Sequence, residues 1–304
     1  MEDNKEVEAV QHGEQAPPAA DAARVEADDG SVKSLPQYVD MLDRLLNVAR
    51  ERNPNVKAFQ NWYRGVSSHK HQLVPAVYRL SGENDSIGLL NIEASMMQDF
   101  ERHAILRVGS QADGEDARSP IMKLFHMQHY GIPTRLLDWS TNPFIALYFA
   151  LSGRLEDGAN PAVWVLDPWG WNREVFKGKT WKDRGPAHVA DPAVEGYYPR
   201  ESYDARDLRL MDPDPVAVVG VYNTERMRAQ RGVFTFFGKE VDPMEDVLRA
   251  KKMNDGILTK IEINREKAPE IFERLLLMGY TDSVSYPDFH GVALEIRRTY
   301  GYPL

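Results

Sequence analysis

Cysteine is absent from the 304 residues. That omission removes disulfides, thiolate metal ligands and a thiol nucleophile together. Long apolar runs are missing too: nothing approaches the roughly 20 residues of a membrane-spanning helix. The N-terminal residues are acidic, the reverse of a signal peptide. The expectation is a soluble, cytoplasmic protein with no membrane partner. Positive charge is in short supply, with a formal net of −9. Residues 1–33 hold nine acidic and three basic side chains, so the other 271 residues sum to only −3. This near-neutral remainder gives no argument for a broad nucleic-acid-binding face. No internal repeat is found.

What is present divides the chain in two. Residues 1–33 are rich in Glu, Asp, Ala, Pro and Gln and read as a disordered acidic tail. Residues 34–304 read as one globular domain. Ser34 is placed to cap a helix with Pro36 in its first turn, and Tyr38, Leu42, Leu45, Leu46 and Ala49 form its apolar stripe. Residues 59–65 read as a strand with Trp62 and Arg64 on one face and Tyr63 on the other. Helical periodicity over 87–107 puts Glu93 and Arg102 on a polar side, and residues 109–119 read as a mobile loop. Further strands are predicted over 161–168, 216–222, 232–238 and 256–263. Helices are predicted over 245–252, 268–278 and 290–300, with a short turn or helix at 224–230. Residues 169–215 show no steady period. Strands and helices interleave without regular βαβ spacing, which predicts an α+β fold.

The most informative stretch is 121–151. An apolar helix pattern ends at Gly131 and Pro133, and residues 134–137 read as a short buried strand. Asp138, Trp139, Ser140, Thr141 and Asn142 follow as a polar turn. Asn142 is a favourable cap, Pro143 a favourable first helical residue, and 144–151 is apolar nearly all round. Burying polar groups is costly unless they are paired. So many of them before a buried helix predict a site.

Tyr63-Arg64-Gly65, residues 73–79 (LVPAVYR), residues 128–140 (QHYGIPTRLLDWS), Asn142-Pro143 and residues 146–150 (ALYFA) resemble the FRG domain. That family is named for an aromatic–Arg–Gly signature, and Tyr63 stands here in the Phe position. Residues 228–234 and 286–288 resemble its closing motifs, so the resemblance runs over about 34–300. The layout also resembles ADP-ribosyltransferases: an Arg on a first strand, a polar turn before an apolar helix, and a Gln- or Glu-bearing turn before a third strand. That resemblance implies a mixed, split β-sheet core flanked by helices, with NAD as co-substrate. It implies Arg64 and Gln230 as catalytic residues. Tyr63, Gly65, Arg79, His129, Thr134, Arg135, Asp138, Trp139, Ser140 and Thr141 would bind the cofactor. Loss of nicotinamide leaves a cation-like ribose, so such a site needs firm phosphate anchoring, for which Arg is suited. Most such transferases carry Glu where this chain has Gln230, and Glu225 lies five residues upstream.

The reading that follows is an NAD-dependent ADP-ribosyltransferase-like enzyme, a toxin or anti-phage defence effector acting on a nucleic acid or protein target and restrained by an antitoxin-like partner. The alternative is a non-catalytic FRG-type nucleotide or nucleic-acid binding module. Convergence of Arg64 and Gln230 on one cleft favours the enzyme. Simpler readings stand beside each residue: Arg64 pairing with Asp138, Trp139 as a core aromatic, His126 and His129 as satisfied histidines rather than metal ligands. A Ser140–His129–Asp138 hydrolase lacks a nucleophile-elbow pattern and fails if Ser140 or His129 is buried in packing. The aromatic, basic segment 169–203, with Lys177, Lys179, Lys182, Arg184 and Arg200, is read either as a target-binding loop or as a loop packed onto the domain.

Overall fold

Local capping chemistry fixes where the first elements begin. Ser34 accepts from the Gln37 amide and Pro36 occupies the first turn, which starts helix α1 (Leu35–Arg52). The computed structural model describes residues 30–80, 85–108, 119–156, 158–179, 185–220 and 224–302. The tail over 1–29 and the loop over 109–118 lie outside the described residues. Strand β1 (Trp62–Val66) is followed by helix α2 (Ser86–Val108) and by α3 (Pro120–His129), which Ser119 caps. Gly131, at φ +80°, makes the turn into β2 (Leu136–Ser140), and the Asn142 cap starts α4 (Pro143–Leu151). Then come β3 (Ala162–Leu166), α5 (Pro168–Val175), β4 (Ala187–His188), α6 (Ala205–Leu210) and β5 (Val216–Val219). The chain continues through α7 (Glu225–Ala229), β6 (Gly232–Phe236), α8 (Met244–Ala250) and β7 (Leu258–Glu262). Three helices close it: α9 (Ala268–Leu277), α10 (Asp282–Ser285) and α11 (Phe289–Thr299).

The strands form one open, mixed sheet in the order β4-β5-β6-β2-β1-β3-β7, with β4–β5 parallel and the other pairs antiparallel. The fold is therefore α+β. The expected split core takes the form of a single sheet. Alternation along the strands feeds two apolar layers. On β3, Trp164 and Leu166 join the layer built with α2, α3, α5 and α8, while Val163 and Val165 join that of α1, α4 and α9. Helix α4 lies so close to β1 that a Cβ on Gly65 would stand 1.9 Å from the Ala146 carbonyl oxygen. Only glycine fits there.

Several expectations are corrected. The folded unit begins before residue 34: Val32 is buried, bridges Ile263, and its amide donates to the Glu262 carbonyl. Glu93 does not face solvent. It is 1% exposed and paired with Arg135, because the charge it must meet lies in the core rather than in water. Strand β2 starts at Leu136 and runs through Asp138, Trp139 and Ser140, so the polar group is strand rather than turn. The segment 169–215 is ordered around short helices: Asp167 caps α5 through the Trp169 and Gly170 amides, and Asp204 and Asp207 form a capping box on α6.

The C-terminal helices are locked to α4 by one carboxylate. Asp282 accepts from the Tyr148 hydroxyl (2.5 Å) and from Arg298 Nε and Nη2 (2.8 and 3.0 Å). Burial pushes its pKa up, but the Arg298 and Tyr148 hydrogen bonds outweigh burial and hold it below the ordinary value. A depressed carboxylate stabilises above its unfolded pKa and loses that contribution as pH falls through the folded one. Asp282→Asn is expected to cost about 2–3 kcal/mol at pH 7. The gap from wild type should narrow below about pH 4 in thermal melts. A gap that stays constant with pH would show that Asp282 acts by packing alone.

Candidate active site

Strands β1 and β2 share a single register pair, Tyr63 opposite Ser140, whereas β1–β3 and β2–β6 each register over five. Beyond that pair Arg64 spans the joint, its Nη1 donating to the Asp138 carbonyl oxygen (2.6 Å). A cleft of about 1040 Å³ opens here, at the upper end of the range for ligand sites and large enough for a dinucleotide. Arg64, Arg79, Asp138, Arg226 and Gln230 all line it. Arg64 and Gln230, 166 positions apart in the chain, therefore meet in one cleft.

Among the described residues the wall carries Arg64, Lys70, Arg79 and Arg226 against Asp138 as its one carboxylate. Burial lowers the Arg64 pKa, Asp138 partly restores it, and Arg79 lowers it further. Arginine stays charged through such shifts, so the described part of the wall carries net positive charge in an acidic protein. Burial raises the Asp138 carboxyl, outweighing Arg64, the Gln128 hydrogen bond and Arg226. His129, which also lines the cleft, has its pKa lowered by burial, Arg226 and His126, against a smaller upward pull from Asp288. Tyr63 forms part of the wall with its phenol pushed up to about 12, by burial above all.

Other expected site residues have structural roles. Gly65 lines the cleft but is there to let α4 approach. Arg135 is fully buried, outside the cleft wall, with its Nε 3.0 Å from Glu93 Oε2 and its guanidinium over the Tyr203 and Phe236 rings. Its guanidinium is engaged in the core. Thr134 is also buried and outside the wall, its hydroxyl donating to Gln128 Oε1 (2.6 Å). Trp139 contributes to the wall, but its indole N–H donates to Thr235 in the core. The Ser140 hydroxyl donates to the Gln230 carbonyl (2.7 Å) and accepts from the Asn142 amide. Ser140 is buried, and with its hydroxyl so bonded the Ser140 hydrolase is dropped. Thr141 is not in the wall, and its amide donates to the Arg231 carbonyl.

Arg64 and Asp138 do not form a side-chain ion pair: Arg64 takes the backbone carbonyl, and the carboxylate takes Gln128 Nε2 (2.6 Å). None of the described residues of 169–203 lines the cleft. Trp171 and Tyr197 are fully buried, Lys179 pairs with Asp212, and Arg200 pairs with Asp207. The loop is packed onto the domain. The expected Lys182 and Arg184 lie outside the described residues. Sequence reasoning missed Arg226, which stacks over the Tyr286 ring (4.6 Å), and Lys70. The Thr224 cap just before Arg226 fixes that helix start and was the available signal.

Residues 60–158 match the FRG domain family, a span running from just before β1, past α4, to just before β3. The chain carries an FRG domain. No curated protein and no solved structure matches the chain. The FRG match contains Arg64, Lys70, Arg79, Gln128 and Asp138, whereas Arg226, Gln230 and Tyr286 come from the chain beyond it. The arginine and glycine of the FRG signature thus have separate duties, one as a cleft cation and the other as the contact with α4.

Proposed function

We propose that the cleft binds NAD and that the protein is an ADP-ribosyltransferase-like enzyme acting on a nucleic acid or protein target. The observation that carries this is the convergence of Arg64, Arg79 and Arg226 with Gln230 in one dinucleotide-sized cleft. Guanidinium forks suit a pyrophosphate, and the Tyr63 and Phe149 rings supply apolar wall for a base or nicotinamide. Element order supports the same reading: Arg64 on β1, Ser140 at the end of β2 before the apolar α4, and Gln230 just before β6.

Calorimetric titration of NAD into wild type and Arg64→Ala tests it. Saturable binding, weakened tenfold or more in the variant (about 1.4 kcal/mol per decade), is the expected result. Absence of binding by folded wild type would remove the reading. A second reading, a nucleotide-binding module without turnover, is favoured by the Gln230 amide, which donates to the Ser285 carbonyl (2.9 Å) instead of pointing a carboxylate into the cleft. NAD bound without release of nicotinamide would establish that second reading.

A further inference from the structure

We propose that Asp138, not the third-position Gln230, is the carboxylate that takes the proton in this cleft, and that Gln128 and Thr134 hold it in place. The inference rests on the NAD reading. Among the described residues Asp138 is the one carboxylate in the cleft wall, and Glu225 is exposed on α7 and does not line it. A three-residue relay sets its orientation. The Thr134 hydroxyl donates to Gln128 Oε1 (2.6 Å), which fixes the glutamine amide the right way round. Gln128 Nε2 then donates to Asp138 Oδ2 (2.6 Å). Among the described residues no other side chain donates to Asp138, so Oδ1 remains for a ligand.

Arg64 ties the Asp138 backbone at the carbonyl, so both ends of the residue are held while its carboxylate stays open to solvent. Although the residue is exposed, the protein atoms crowding the cleft displace bulk water from its carboxylate and raise its proton affinity, the direction a general base needs. With water as the simplest acceptor, the water oxygen attacks C1′ of the nicotinamide ribose. The C1′–N1 bond breaks and its electron pair stays on the ring nitrogen, which neutralises the departing nicotinamide. The proton lost by water passes to Asp138 Oδ1 and then to solvent. A hydroxyl or amine of a macromolecular target would enter the same way. While it is charged, Asp138 also faces the cationic ribose of the transition state.

The test follows NAD binding and nicotinamide release for wild type, Asp138→Asn and Gln128→Met, with thermal melts confirming that each variant folds. Asp138→Asn is expected to bind NAD within about threefold of wild type while release falls about 10²–10⁴-fold. The wild-type rate should rise with pH through one ionisation, which Asp138→Asn abolishes. Gln128 donates to the charged form and lowers the Asp138 pKa, so Gln128→Met should shift that rising limb to higher pH. A merely structural glutamine would leave the limb in place. Release by Asp138→Asn within threefold of wild type overturns the assignment and leaves NAD binding standing. An unshifted limb in Gln128→Met, or NAD bound by wild type without any release, also overturns it. No NAD binding by wild type overturns the underlying reading as well.

Discussion

Arg135→Ala is expected to cost about 3–5 kcal/mol of stability, the usual effect of leaving one buried charge without its partner. For a chain of this size the melting temperature should fall by on the order of 10 °C. The partner is Glu93, 1% exposed, which sits 3.0 Å from Arg135 Nε and also accepts from the Arg135 backbone amide (2.8 Å). Arg135 Nη2 donates to the Tyr203 hydroxyl (2.8 Å). Burial raises the Glu93 carboxyl and Arg135 is its counterweight, so the variant leaves a carboxyl that must take up a proton or draw in water. Replacing both charges, Glu93→Leu with Arg135→Met, should recover most of the loss in chemical denaturation. That folded double variant should bind NAD as wild type does. Loss of binding there would return Arg135 to the ligand site.

Gly65→Ala should be nearly as severe, at about 3 kcal/mol or more. Added core methyls usually cost about 1–3 kcal/mol because neighbouring side chains can shift. Here the methyl would meet the α4 backbone itself, 1.9 Å from the Ala146 carbonyl oxygen and 2.6 Å from the Ala150 nitrogen. Relief requires β1 to move off α4, which drags the neighbouring Arg64 away from the Asp138 carbonyl. NAD affinity and stability should therefore fall together. Gly153→Ala is the control: its methyl meets nothing within 4 Å, and the expected change stays within about 0.5 kcal/mol. A mild Gly65→Ala phenotype would mean that α4 can recede from β1.

What was legible in the sequence was what neighbouring residues decide. Ser34 with Pro36, Asn142 with Pro143, and the turn at Gly131 all act within a few positions, and each stands where the sequence puts it. Breaker-bounded β-branched runs likewise located β3, β5 and β7 to within a few residues. Misreadings arose where a distant partner decides. Thr134 and Arg135 belong to a polar run that looks like a site, yet Glu93, 42 residues earlier, draws Arg135 into the core. Glu93 in turn reads as solvent-facing from its helix alone, because the partner that buries it, Arg135, lies far along the chain. The Thr224 cap marks the helix that carries Arg226, but its place in the cleft depends on Tyr286 and on where α7 packs. Residues 169–215 lack a long period because their helices are shorter than the window in which periodicity shows.

The joint between β1 and β2 has a mechanical meaning. Five register pairs join β1 to β3, β2 to β6 and β3 to β7, so each flank of the sheet is stiff near the centre. With one register pair at the joint, β1 and β2 hold each other over a shorter length than either holds its outer neighbour. Arg64 rides with one flank and Gln230 with the other, and the turn that carries Arg79 bonds to Thr134 and Gly238 on the β2–β6 side. An anion gripped from both flanks would act as a crossbar, turning occupancy of the cleft into stiffness across the whole sheet.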